Sequence, residues 1–450
     1  MIDLNNKILQ VEKSTIKNNQ EITINGYKHA MVQIICASIA SNQIINIKNV
    51  PIVDDTIILC NIINSLGGIA KINNRNLFLD PTNMKYCSID PELTKKIHGS
   101  IYLIPALAVR FKKFDFFESG GCQIGNKNSN GKRPVSHIAE VLQKFDFDIV
   151  KDNNNNLMYG KLKNNTNKNV IIDIMNFSED TSFLSGPKIS GSTKIAIICS
   201  LNIEKTIILN PYLKTDVADL LRFIKNIGFD VKILDNNKRI EITKIKNEKK
   251  IINFYLTSCV SEVITYITLA VCNNISINLK VNNMEQVING LKQEFSILKV
   301  MGVNITHNDN TITVNKINFP LNAVNIDVTD TTIQSDHHPF FALMLLKANK
   351  KSIIREFVWK NRFSYAEELK KIGADFLIVD NILTINPSIL KSNETKLICS
   401  DTRAGAIILL AALESEGKSL IYDSYHIKRG YENLVENLIL LGGKIKIINK

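Results

Sequence analysis

The chain has 450 residues, 45% hydrophobic and 22% charged, with a formal net charge of +12, more than one core usually organises, so two domains or a repeat array are expected. The charge does not point to nucleic acid, because 46 lysines and 9 arginines are spread along the chain rather than gathered with aromatics on one element. Apolar runs such as "AIILLAALE" and "VITYITLAVC" are too short to span a bilayer, and the start, "MIDLNNKILQVEKST", lacks a leader-like stretch; a cytoplasmic protein without membrane contact is expected.

Taken in order, the predicted elements repeat. The first copy, "ASIASNQIINIKNVPIVDDTIILCNIINSLGGIAKI", reads as a helix end, a β-branched strand, a turn, a helix, a glycine pair and a second strand. The second, "FKKFDFFESGGCQIGNKNSNGKRPVSHIAEVLQKFDFDIV", carries an insertion at its turn. The pattern returns in "ICSLNIEKTIILNPYLKTDVADLLRFIKNIGFDVKI", "LAVCNNISINLKVNNMEQVINGLKQEFSILKVMGVNITH", "LLKANKKSIIREFVWKNRFSYAEELKKIGADFLIV" and "AALESEGKSLIYDSYHIKRGYENLVENLILLGGKIKII". Strands alternate Ile with polar residues, and helices repeat apolar residues at three and four. Each helix stops at or near a glycine, except in the second copy, where Phe147 takes its place. Six units that cannot bury their faces alone predict an α/β protein of two domains with three repeats each. The domains are expected at 26–255 and at 1–25 plus 256–450, with a ligand cleft between them.

The loop "ESGGCQIGNKNSNGKRPVSHI" sets one cysteine, Cys122, after a glycine pair and before three positive charges. Nearby positive charge favours the thiolate, while a solvated hairpin tip with an incidental cysteine explains the same stretch. The eight cysteines include no CxxC pair and no zinc-like spacing, so no metal is expected. Arginine is scarce in a lysine-rich chain, which makes each remaining arginine a candidate for fork-shaped recognition of an anion.

The motifs "NGYKHA", "GGCQIG" with "RPVSHI", "SGSTK", "SDHHPFFALMLL", "KNRFSYAEELKKIGAD", "SDTRAGAIILLAAL" and "YHIKRGYENLVENLILLGGKI", in this order and spacing, resemble the enolpyruvyltransferases over nearly the whole length. Within them the chain is closer to the UDP-N-acetylglucosamine enzymes than to the shikimate enzymes. The resemblance implies a two-domain inside-out α/β barrel and transfer of the enolpyruvyl group of phosphoenolpyruvate to a hydroxyl, with release of phosphate and no cofactor. It implies that Lys28, Arg133, Arg362, Arg403 and Arg429 hold phosphoenolpyruvate, each charge-assisted contact being worth ~1.5–3 kcal/mol. It further implies that Cys122 acts as the acid and as the target of fosfomycin, and that Asp336 stands beside the acceptor hydroxyl.

The departures fall on the acceptor side. "GAKN" is "GYKH", so a sugar-contacting asparagine becomes His29; an arginine is replaced by His98; "PDRIETGTF" becomes "SCVSEVITYIT"; "ATEN" becomes "STKI"; and Asp54 stands where a lysine is usual. Buried polar contacts carry discrimination between acceptors. The expected acceptor is therefore a uridine nucleotide, UMP in the manner of the nucleoside-antibiotic enzymes, with His29, His98, His137 and His337 as candidate contacts. A cell-wall enzyme acting on UDP-N-acetylglucosamine and a non-catalytic ligand-binding relative are the alternatives. Oligomeric state is left open.

Overall fold

The computed structural model describes residues 3–117, 119–120, 135–152, 157–163, 168–177, 187–245 and 251–449. Cys122 and Arg133 lie outside them. The described chain divides into two units, one formed by residues 26–120 with 135–257, the other by 3–25 with 258–449.

In the 26–257 unit the helices Lys28–Ser41, Leu103–Phe111 and Pro187–Cys199 pack on one another. Their sequences explain why. The first is buried at every position from Ala30 to Ala40, and the second from Leu103 to Val109. A helix apolar on all sides has no face for water and must sit inside. Three sheets lie around them, one joining Ile45–Lys48 to Ile69–Asn73 and Asn76–Asp80, one built from Lys113–Phe116, Phe147–Asp152 and Leu157–Leu162, and one from Asn169–Asp173, Lys205–Leu209, Phe229–Leu234 and Arg239–Lys244. The outer helices are two-faced. Thr215–Asn226 buries Val217, Leu220, Leu221, Phe223 and Ile224 and ends in exposed Lys225 and Asn226.

The other unit repeats the plan. Val260–Asn273, His338–Leu345 and Thr402–Glu414 are its interior helices, and three four-stranded sheets cover them. Each fully buried Ile, Leu or Phe on such a helix contributes about 1.5–3 kcal/mol.

All six repeats share one backbone signature where the outer helix ends. Gly67, Gly228, Gly302, Gly373 and Gly442 have φ between +85° and +102°. In the second copy that left-handed position is Asp146, at φ 65°, rather than the following Phe147. Asp is one of the few side chains that tolerate this region, which explains how the copy dispenses with glycine.

Three sheets contain a parallel pair joined through an interior helix, as Asn169–Asp173 is joined to Lys205–Leu209 through Pro187–Cys199. At the two chain crossings this rule is exchanged. Gln20–Thr23, which precedes the Lys28–Ser41 helix, pairs with Ile277–Lys280. Ile252–Tyr255, which precedes the Val260–Asn273 helix, pairs with Ile45–Lys48. Each crossing is tied on its own side by a buried carboxylate. Glu262 accepts from Asn25 N at 2.9 Å and Nδ2 at 3.1 Å, and Asp219 accepts from Thr257 N at 2.9 Å and Oγ1 at 2.6 Å.

Candidate active site

Within each unit, described candidate residues stand near the N-terminal ends of interior helices, where backbone N–H groups and the helix dipole favour anions. In the 258–449 unit, Asp336 precedes the His338–Leu345 helix by two residues, and its carboxylate is shared between two guanidinium groups. Arg362 Nη2 donates to Oδ1 at 2.9 Å, and Arg403 Nε donates to Oδ2 at 3.1 Å. Both arginines are buried, whereas the Asp336 side chain is 34% exposed.

Asp401 completes the cluster. It caps the Thr402–Glu414 helix by accepting from Arg403 N at 2.8 Å and Ala404 N at 3.0 Å, and its other oxygen accepts from Arg362 Nη1 at 3.3 Å. Burial works against the charge on Arg362, but Asp401 and Asp336 outweigh it and hold the guanidinium above its ordinary range. Tyr431 lies under Arg403, with the guanidinium 5.2 Å from the ring centre, an added restraint through cation–π attraction. Arg429 is the C-cap of the short Tyr425–Lys428 helix, half-exposed, and is followed by Gly430 packed on Thr402.

Beside Arg362, Glu356 accepts from Val358 N at 2.6 Å, Trp359 N at 3.1 Å and Ser335 Oγ at 2.7 Å. Burial pushes its carboxyl up to about 7 against these bonds. Burial and the Arg362 charge push His338 well below the usual histidine range, so it is neutral. His337 is fully buried between Ser261 and Glu294.

In the 26–257 unit, Lys28 and His29 open the Lys28–Ser41 helix, both half-exposed. Lys28 Nζ is 3.4 Å from buried Asp55, in the first turn of Asp54–Ser65. His98 begins the 3₁₀ turn His98–Tyr102, and a Cβ at Gly99 would come within 3.6 Å of that same carboxylate. His137, buried in the first turn of Ser136–Lys144, packs on Gly191, where a Cβ would stand 2.3 Å from its Nε2. Lys194 forms a buried ion pair with Asp216. Its ammonium lies 5.9 Å from the Tyr102 ring centre and 5.7 Å from that of Tyr212. Burial opposes the charge on both partners, but their attraction outweighs it, so Asp216 is held below the usual carboxylate range, with His29 adding to the effect. Thus Lys28 and Asp55 are brought together, as are His29, Lys194 and Asp216, and as are Asp336, Arg362 and Arg403.

Chemically, the Asp336 arrangement couples a directed carboxylate to two guanidinium groups through charge-assisted bonds. The other described cysteines offer no competing thiolate in the interior: burial pushes Cys60 and Cys259 up to about 11, and Cys36, Cys199, Cys272 and Cys399 are raised as well.

The family model described as EPSP synthase (3-phosphoshikimate 1-carboxyvinyltransferase) matches residues 13–438. The chain belongs to this enolpyruvyltransferase family. Among curated relatives, the UDP-N-acetylglucosamine 1-carboxyvinyltransferase of Pelagibacter ubique is 29% identical over 432 residues, covering 95% of this chain and 97% of that one. That of Buchnera aphidicola is 28% identical, covering 94% and 96%. Among solved structures, the enolpyruvyl transferase NikO from Streptomyces tendae superposes with a TM-score of 0.90 at 25% identity over 99% of both chains. EPSP synthase from Acinetobacter baumannii gives 0.71 at 15% identity, covering 98% of this chain and all of that one, a likeness of fold. The protein is therefore an enolpyruvyltransferase with the two-domain inside-out α/β fold of its family, and the six repeats are that fold's units. No helix among the described residues is long and apolar enough to cross a membrane.

Sequence reasoning about this enolpyruvyltransferase missed Asp401, Glu294, Glu356 and the Lys194–Asp216 pair. Asp401 had a signal, an N-cap residue directly before an apolar run. Lys194 was legible only as a lost carboxylate, because its partner lies elsewhere in the chain.

Proposed function

We propose that the enzyme transfers the enolpyruvyl group of phosphoenolpyruvate to the ribose hydroxyl of a uridine nucleotide, UMP, in nucleoside natural-product synthesis in the cytoplasm. Lys28, Arg133, Arg362, Arg403 and Arg429 hold the phosphate and carboxylate of phosphoenolpyruvate. Asp336 accepts the proton of the acceptor hydroxyl as its oxygen attacks C2, while Cys122, the residue fosfomycin would alkylate, delivers a proton to the C3 methylene. The resulting tetrahedral ketal then loses a C3 proton as its C2–O bond to phosphate breaks, giving the enolpyruvyl ether and inorganic phosphate. Bonds from Arg362 and Arg403 hold the Asp336 carboxylate in place, so its part is set by position.

The observation that carries the acceptor reading is the Lys194–Asp216 pair beside His29 and between two tyrosines. Where the resemblance places the carboxylate and amide of "ATEN", this chain has Lys194 in a buried ion pair, with less to offer a sugar. His29, His98 and His137 are the proposed nucleotide contacts. The likeness to NikO over the full length supports enolpyruvyl transfer itself. A second reading, transfer to UDP-N-acetylglucosamine, draws on the activity of the curated relatives.

Phosphate release from phosphoenolpyruvate with each acceptor separately, with the product mass recorded, distinguishes them. Release with UMP and a gain of one enolpyruvyl group is expected. Release only with UDP-N-acetylglucosamine would establish the second reading and end the first.

A further inference from the structure

The turn that carries Asp336 is held at all four of its other residues. On one side Glu294 Oε1 accepts from Gln334 N at 3.0 Å and from His337 Nδ1 at 2.7 Å, and His337 Nε2 is 2.9 Å from Ser261 Oγ. On the other side Glu356 Oε2 accepts from Ser335 Oγ at 2.7 Å and lies 3.3 Å from His338 Nε2, while His338 Nδ1 is 3.1 Å from the Tyr365 hydroxyl. Glu294, His337, His338 and Glu356 are each at most 1% exposed, so none of them reaches a ligand in this arrangement. Asp336, with its neighbour Ser335, is the part of the turn open to the outside.

Two carboxylates buried against one five-residue turn are a poor way to gain stability, because apolar residues of similar size serve as well or better. They do fix direction. A carboxylate that must meet a hydroxyl at one angle needs its supporting residues locked by their own bonds. His337 faces a carboxylate at one nitrogen and a hydroxyl at the other, which sets its tautomer and the ring plane. It ties the Val260–Asn273 helix, the Lys292–Met301 helix and the turn to one another.

We propose that Glu294 and His337 are positioning residues that aim the Asp336 carboxylate through the 334–338 turn, with Ser261 completing the chain and Glu356 holding the opposite flank. This rests on the reading that Asp336 meets the acceptor hydroxyl. It assigns His337 to the support of Asp336 instead of to the nucleotide.

The test is a double-mutant cycle of Glu294→Gln and Asp336→Asn, run with whichever acceptor the wild-type enzyme turns over, so that failure of UMP shows in the wild type before any variant is made. Glu294→Gln is expected to lower kcat about 10–100-fold, the usual effect of removing a supporting partner, with KM for phosphoenolpyruvate and the melting temperature nearly unchanged. In the Asp336→Asn background the same change should cost less than about twofold, because residues acting through one group are not additive. A loss that multiplies in that background, or Glu294→Gln with wild-type kcat, overturns the proposal. Wild-type turnover by Asp336→Asn overturns the reading of Asp336 itself. If Glu294→Gln does not fold, Ser261→Ala carries the same cycle, with a several-fold loss expected alone and none beside Asp336→Asn.

Discussion

Glu356 is buried beside Arg362, and its carboxyl titrates near neutrality because burial outweighs the three hydrogen bonds it accepts. A carboxyl raised from 4.5 to about 7 on folding binds its proton more tightly in the native state. Between those values the folded chain keeps a proton that the unfolded chain has released, so stability falls as pH rises. The contribution is whole below the unfolded value and is lost as pH passes the folded one. Wild-type enzyme is therefore expected to lose melting temperature relative to Glu356→Gln between about pH 5 and pH 8. Parallel melting curves for the two proteins across that range would rule the idea out. The arginines around this group were legible in the sequence because arginine is rare there, and rarity made each one conspicuous. Glu294 and Glu356 were not. Carboxylates are common in this chain, and what distinguishes these two is burial and partners that no local pattern records, as with Glu294 and Gln334, 40 residues apart.

At the scale of elements, the site depends on how closely the segment carrying Arg429 approaches the start of the Thr402–Glu414 helix. A Cβ at Gly430 would come within 2.3 Å of Thr402 Cγ2. Gly430→Ala should push this segment off the helix start that holds Asp401 and Arg403, raising KM for phosphoenolpyruvate about tenfold, the size of one weakened contact of ~1.4 kcal/mol. Adding Thr402→Ser removes the obstructing methyl group and should restore most of the loss. An unchanged KM in Gly430→Ala would show that the contact does not matter. The six repeats were readable because the period of two in the strands and of three to four in the helices recurs with the same stop signal. The exchange of strands at the crossings was not readable. Gln20–Thr23 and Ile252–Tyr255 show the same alternation whichever neighbour they pair with, and only the ladder registers distinguish the two.

For the molecule as a whole, the sheet around Lys7–Glu12 joins the two extremes of the described chain. That strand lies between Glu416–Tyr422 and Lys444–Asn449, and Lys7 and Asn449 bond through side chains 442 residues apart. The 26–257 unit contains all the strands of its own three sheets. Order of synthesis then separates the two. At about 5–20 residues per second, a ribosome takes roughly 20–90 s to pass from the first partner of this sheet to the last. The intervening unit has everything it needs long before that. Chains arrested once Thr257 has emerged should resist brief proteolysis across the described parts of 26–257 while 7–23 is still cut, and protection of 7–23 at that stage would contradict this. Lys7–Glu12 thus stays an unpaired, β-prone edge until Glu416–Tyr422 and Lys444–Asn449 have been made, a segment on which a cell's holding chaperones would have much to do.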